Sequence, residues 1–257
     1  MFSPSVTPTH CFFLSRAAAV NDWVHLGCFT GLCGNEYCQT STGSCRVSRV
    51  PWTPTAGING GQPLAFMECD FTFFDLANHR LSQAVVLAES DRAHALHIRF
   101  RYDKSPINFS TRKFQRSGHR FLCPVLAGIN IFLRACLLKV PVDDPLACYR
   151  DVDDMRAVLP QSGYFYLESS DVIAVMRSSI DMAYPNREHY MHIHKLQVDC
   201  HSNRVTAAVA LNLGGLRDEE IAFRLRWSVE SVKHYLRDCH KNIGALTQRV
   251  IAGSFQL

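Results

Sequence analysis

The sequence lacks any long uncharged hydrophobic run. Its best apolar stretch, 125–140, is interrupted by Arg134 and Lys139, whereas a membrane-spanning helix needs about 20 mostly apolar residues. The stretch therefore predicts a buried helix rather than a membrane span. Residues 1–20 contain no acidic side chain and no secretory signal pattern, and we expect a loose leader there.

Paired cysteine spacings and a strong charge excess are also missing. The eleven cysteines are scattered along the chain, which favours free thiols in a reducing compartment over a disulfide framework. The net charge of +4 over 257 residues is too small to indicate nucleic-acid binding by itself. An argument for nucleic acid must therefore rest on a local cluster of cations.

The element pattern predicts an α+β fold, mostly α, with a small antiparallel sheet. We expect one globular domain over 21–257, with a loop or insert rich in Thr, Ser, Gly and Pro at 41–63. A first helix is expected at 20–40. Strands are expected near 66–75, 80–89 and 95–103, and further helices near 124–138, 144–157, 168–182, 202–213, 217–226 and 228–245.

A basic region occupies the middle of the chain. Between Arg92 and Arg120 there are eight Lys and Arg residues and one acid, Asp103. Residues 95–103 alternate strictly, which predicts a half-buried strand with Leu96, Ile98, Phe100 and Tyr102 on its apolar face. We call residues 92–120 the basic hairpin. Its positive charge is that of a phosphate-contacting surface. The candidate DNA-binding residues are Arg99, Arg101, Arg112 and Lys113.

Four residues near the C-terminus could together act on a phosphodiester. They are His201, Arg204, Trp227 and Tyr235, called the C-terminal set below. An Arg presents a planar, permanently charged fork to a phosphate, and His and Trp can add N–H donors. A Tyr can attack phosphorus and hold the strand as an ester, so that rejoining needs neither ATP nor metal.

The segment from Ser202 to about Ala245 resembles the C-terminal half of the tyrosine recombinase (integrase) catalytic domain. That family carries His-x-x-Arg on one helix, then a His or Trp, then the nucleophilic Tyr. His201, Arg204, Trp227 and Tyr235 take those places in turn. The resemblance implies a helical catalytic domain that cuts and rejoins DNA through a 3′-phosphotyrosyl intermediate, as mobile elements do during recombination and integration.

A second stretch, 30–36, matches the family's first motif, which is of the Thr-Gly-Leu-Arg-x-Ser-Glu type. Here it reads Thr30-Gly31-Leu32-Cys33-Gly34-Asn35-Glu36, with Cys33 where the family has its first catalytic Arg. A neutral thiol supplies no cation. Losing one transition-state donor costs on the order of 10²- to 10³-fold in rate, so we expect impaired activity.

The resemblance also implies partners and one further catalytic residue. In the family a Lys on a β-turn protonates the departing 5′ oxygen, and Lys104 best matches it; a plain basic loop without a catalytic Lys is the alternative. Double-stranded DNA is the expected partner, with a homo-oligomeric synapse, no cofactor and a location inside the cell with the DNA. Nothing long enough for the family's DNA-clamping domain precedes Asp22, so low affinity is expected.

A rival interpretation takes 215–236 as a helix-turn-helix of the response-regulator type. A helix would begin at Asp218, Ser228 would cap the second helix, and Val232, Lys233 and Leu236 would belong to the recognition helix. A Gly is usual in that turn, near Arg226. This interpretation predicts a non-catalytic DNA-binding protein and leaves His201, Arg204 and the first motif unexplained.

Simpler roles remain open for several of these residues. Tyr235 could be a half-buried core aromatic, and Trp227 could serve packing alone. His192 and His194 share one face of a predicted strand and could bind zinc, but their spacing matches no standard closed zinc site, so we expect no metal.

Overall fold

In the computed structural model, described for residues 12–32, 34–38, 65–101, 110–150, 163–189 and 194–236, helices predominate around a small sheet. The helices are α1 (Arg16–Thr30), α2 (Gly34–Tyr37), α3 (Gln83–Ala88), α4 (Pro124–Leu137), α5 (Ser169–Ala183), α6 (Ser202–Leu213), α7 (Asp218–Leu225) and α8 (Val229–Leu236). The strands are β1 (Phe71–Phe74), β2 (Ala95–Phe100), β3 (Ser110–Gln115), β4 (Cys148–Tyr149) and β5 (Phe165–Tyr166). The α+β, mostly α prediction is confirmed for this part of the chain.

The main sheet is antiparallel in the order β1-β2-β3, with Ile98 of β2 between Phe71 and Arg112. Leu96, Ile98 and Phe100 are buried, which confirms the predicted alternation for the described part of that strand; Tyr102 and Asp103 lie outside it. Helix α4 covers the apolar face of the sheet, and Phe132 packs on Phe73 at 5.7 Å between ring centroids.

Two hydrophobic clusters make up the core. The larger one joins the sheet, α1 and α4 and contains Trp23, Leu26 and Phe71. The smaller one holds α6, α7 and α8 together through Ala207, Ile221, Leu225, Val232 and Leu236. Helices α6 to α8 are therefore a three-helix unit seated against the main body.

Local chemistry explains where the helices begin and end. The Ser15 hydroxyl accepts from the Ala18 amide at 3.3 Å to start α1, and Gly31 ends that helix at φ +62°, a conformation that Gly adopts without strain. Pro124 opens α4 at a position where its missing N–H is no loss. Among the described residues, no helix is both long and apolar enough to cross a bilayer.

Several predicted elements are corrected. Residues 83–88 form a helix rather than part of a strand at 80–89, because the Ser82 hydroxyl accepts from the Val85 amide and starts a helical turn. No helix forms at 144–150, where Cys148 and Tyr149 pair with β5; 151–157 lies outside the described residues. Strand β3 was missed, and α1 begins at Arg16, inside the expected leader.

Candidate functional site

The structure brings the C-terminal set together at the edge of the three-helix unit. His201 directly precedes α6, Arg204 lies in its first turn, Trp227 follows α7, and Tyr235 lies near the end of α8. The Trp227 and Tyr235 rings are 5.0 Å apart between centroids, and the His201 and Tyr235 rings are 5.3 Å apart. Residues from three helices thus converge on one small surface.

The Tyr235 hydroxyl and His201 Nε2 are 2.9 Å apart, within hydrogen-bonding distance. Asp199 fixes this end of α6, because its Oδ1 accepts from the backbone amides of His201 at 2.8 Å and Ser202 at 3.1 Å. With Nε2 unprotonated, His201 can accept the phenolic proton, as a general base beside a nucleophile does. The geometry can therefore activate Tyr235.

Arg204 and Trp227 form the other half of the site. The guanidinium carbon of Arg204 lies 4.6 Å from the Trp227 ring centroid, a cation–π contact. Arg204 Nε and Trp227 Nε1 are both buried, and neither has a hydrogen-bond partner among the described residues. An unsatisfied buried donor costs about 1–3 kcal/mol.

The first motif lies beside the C-terminal set. A side chain added at Gly31 would come within 2.9 Å of Leu225 Cδ2 and 3.3 Å of Trp227 Cζ2, so the glycine lets this backbone approach the turn after α7. Glu36 Oε1 pairs with Arg226 Nη1 at 2.8 Å. Cys33 lies outside the described residues. The fold nevertheless juxtaposes two motifs that are far apart in the sequence.

Arg226 is a residue of this site that the sequence did not single out for function. Its backbone is left-handed, at φ +64°, and its guanidinium carbon lies 3.5 Å from the Phe100 ring centroid. Its side chain is only 4% exposed. Glu36 was visible as part of the first motif, but the sequence did not indicate which cation it would meet.

The predicted DNA-binding residues of the basic hairpin differ in their surroundings. The Arg101 side chain is buried and bonds Asp70 at 2.8 Å and the Ala65 carbonyl at 2.6 Å. Arg99 also reaches Asp70, at 3.3 Å, but is partly exposed. Lys104 lies outside the described residues.

Arg112 and Lys113 lie on β3 and meet α7. Arg112 Nε donates to the Phe223 carbonyl at 3.1 Å, and its guanidinium carbon lies 4.5 Å from the Phe223 ring centroid. Arg224 returns the contact, donating to the Lys113 carbonyl at 2.9 Å. Burial, together with the neighbouring Arg112, lowers the pKa of Arg224. The Lys113 side chain is exposed and can meet an anion from solvent.

Helices α7 and α8 have the local form of a helix-turn-helix. The left-handed Arg226 makes the turn, and the Ser228 hydroxyl caps α8 by accepting from the Ser231 amide at 3.1 Å. The predicted cap is therefore confirmed. Of the three residues assigned to a recognition helix, Val232 and Leu236 are buried, and Lys233 is exposed.

The structure describes only one of the two histidines considered for zinc, His194. His192 lies outside the described residues, and no group of three or more His, Cys, Asp or Glu side chains among them could hold a metal ion.

Comparison of the sequence with protein-family models and with curated proteins finds no match.

Proposed function

We propose that the chain is a tyrosine-recombinase-like catalytic domain, which binds double-stranded DNA and breaks and rejoins its strands with impaired activity. One observation carries the proposal. Tyr235 touches a potential base, His201, and beside it lie the Arg204 and Trp227 donors, which have no partner among the described residues. A nucleophile, a base and an anion site within one contact network are what phosphoryl transfer requires.

In the proposed reaction, the Tyr235 oxygen attacks phosphorus and its proton passes to His201 Nε2. The bond from phosphorus to the 5′ oxygen breaks, leaving a 3′-phosphotyrosyl ester and a 5′ hydroxyl. Arg204 and Trp227 would donate to the non-bridging oxygens, where negative charge builds up. By resemblance alone, Lys104 would protonate the leaving oxygen. The reverse attack by a 5′ hydroxyl rejoins the strand.

The test is to incubate the protein with a pool of nicked duplexes and to score covalent protein–DNA adducts on a denaturing gel. We expect a weak adduct that disappears in Tyr235→Phe, because no phenolic oxygen remains to attack. Cys33→Arg should strengthen it by about 10²-fold or more if the missing cation limits the rate. Tyr184→Phe, which removes another phenol, is the matched control and should leave the adduct unchanged.

A second candidate is a non-catalytic DNA-binding protein of the helix-turn-helix type. The left-handed turn at Arg226 and the Ser228 cap favour it. It predicts DNA binding on a native gel with no adduct from either the native or the Cys33→Arg protein. That pair of results would contradict the recombinase proposal.

A further inference from the structure

A large apolar cavity lies between α1, α4, α5 and α6, away from Trp227 and Tyr235. Its volume is about 880 Å³, within the range of about 300–1,000 Å³ typical of small-molecule sites. Most of its wall surface is apolar, and Val20, Val24, Val175, Met176 and Ile180 contribute to it. Such a lining favours a mostly apolar ligand.

The cavity also contains a polar group that is already neutralised. Arg134, with a side chain only 1% exposed, forms an ion pair with Asp22. Its Nε donates to the Phe13 carbonyl at 2.9 Å, and Asn130 donates to the other Asp22 oxygen at 3.0 Å. Within the described part of the chain, Arg134 Nη1 makes no hydrogen bond. The Nη1 group therefore remains available to donate to a ligand.

We propose that this cavity binds a neutral, mostly apolar small molecule with one carbonyl or hydroxyl oxygen, which accepts from Arg134 Nη1. A carboxylate would fit less well, because Asp22 already balances the Arg134 charge and a second anion would leave buried negative charge without a partner. The proposal does not rest on the proposed DNA chemistry.

The entrance and one wall support this assignment. Phe12 and Met182 line the cavity and are 69% and 76% exposed, so a bound apolar molecule would cover hydrophobic surface that now meets water. Ser202 and Thr206 of α6 also line it. A ligand would thus contact the helix that carries Arg204.

Three probes of matched shape test the ligand class by equilibrium dialysis: 2-acetylnaphthalene, 2-isopropenylnaphthalene and 2-naphthoate. We expect saturable one-to-one binding of the ketone, about tenfold tighter than the alkene, since only the ketone can accept from the charged donor. The carboxylate should bind more weakly than the ketone. Equal binding of ketone and alkene, or a preference for the carboxylate, would overturn the proposal.

Cavity-filling variants test the location. Ala18→Trp and Ser179→Trp fill the space from two different helices, α1 and α5, and Ala84→Trp, on the exposed surface of α3, is the matched control. Thermal melting by circular dichroism shows which variants fold. If one cavity variant does not fold, the other is sufficient for the test. Ketone binding should be lost in the folded cavity variants and kept in Ala84→Trp.

Binding that survives a folded cavity variant, or that is lost equally in the control, would place the probe elsewhere. Sedimentation at rising protein concentration distinguishes a different occupant. If a second copy of the chain covered the cavity mouth, self-association would displace the ketone, and Ala18→Trp would weaken the self-association. Those two results together would contradict the small-molecule proposal.

Discussion

His97 lies on β2 with its ring centroid 4.0 Å from that of Phe74 and with Lys113 opposite on β3. Burial, and secondarily the charge of Lys113, lower the pKa of His97 below its usual 6.5. The unfolded chain therefore takes up a proton at a higher pH than the folded one. The contribution of the neutral His97 ring to stability is complete above pH 6.5 and is lost as the pH falls below that value.

We expect the free energy of unfolding in urea to fall between pH 7.5 and pH 5.5, and to fall less in His97→Gln. His25 acts in the same direction, because burial lowers its pKa more than Asp22 raises it. His234→Gln, which removes an exposed imidazole, is the control and should show the wild-type pH dependence. An identical dependence in His97→Gln would contradict this assignment.

Which cations face solvent could only partly be predicted from the sequence. Alternation placed Arg99 and Arg101 together on the polar face of a strand, but the strand ends at Phe100 and Arg101 turns inward to Asp70. The sequence does not indicate that Asp70 is buried there, because the contact spans two elements. For Arg204 the sequence predicted an anionic partner, and it did not indicate the cation–π contact with the Trp227 ring.

At the scale of elements, α1 and α6 pack closely because Gly27 has no side chain. A Cβ at this position would lie 1.8 Å from Asn203 Nδ2, and the buried Asn203 is held by Cys28, which donates to its Oδ1 at 3.6 Å. Gly27→Ala should therefore force the helices apart and destabilise the fold by about 1–3 kcal/mol. Urea unfolding measures the loss.

The matched control is the same substitution in an Asn203→Ala background, where the clashing amide is absent. There Gly27→Ala should cost much less, so the two substitutions should be strongly non-additive. Equal costs in the two backgrounds would mean that these helices do not pack through this contact.

The long helices were more predictable than the short elements. The apolar periodicity of 202–213 gave α6 with its observed bounds, and 124–138 and 168–182 came within a residue or two. The strand predicted at 80–89 was wrong, because a short apolar run fits a strand or a helix equally well and the Ser82 cap starts a helix there. The β4–β5 pairing joins residues too distant for a local pattern to show.

Across the whole molecule, the three-helix unit is tied to the main body through the pair of Glu36 and Arg226. Glu36→Gln would remove the carboxylate that pairs with the buried guanidinium of Arg226, at a cost on the order of 2–4 kcal/mol. A lower midpoint of urea unfolding would report this loss. Glu36→Asp, which keeps the charge, is the conservative control and should lose less.

Arg226→Gly in the Glu36→Gln background should recover part of that loss. It removes the buried cation whose Glu36 carboxylate has been lost, and it places in the left-handed turn, at φ +64°, the residue that adopts this conformation most easily. If the double variant were no more stable than Glu36→Gln alone, the buried charge would not be the cause of the loss.

The contact of β3 with α7 has a consequence for how the molecule behaves in a crowded solution. β3 is an outer strand of its sheet, and an open outer strand offers unpaired backbone groups to strands of other molecules. Arg224 bonds the Lys113 carbonyl, and Phe223 with Arg112 lies against the same strand. Release of the three-helix unit would therefore expose an edge strand that can pair with other molecules. The packing of this unit on β3 thus also prevents aggregation.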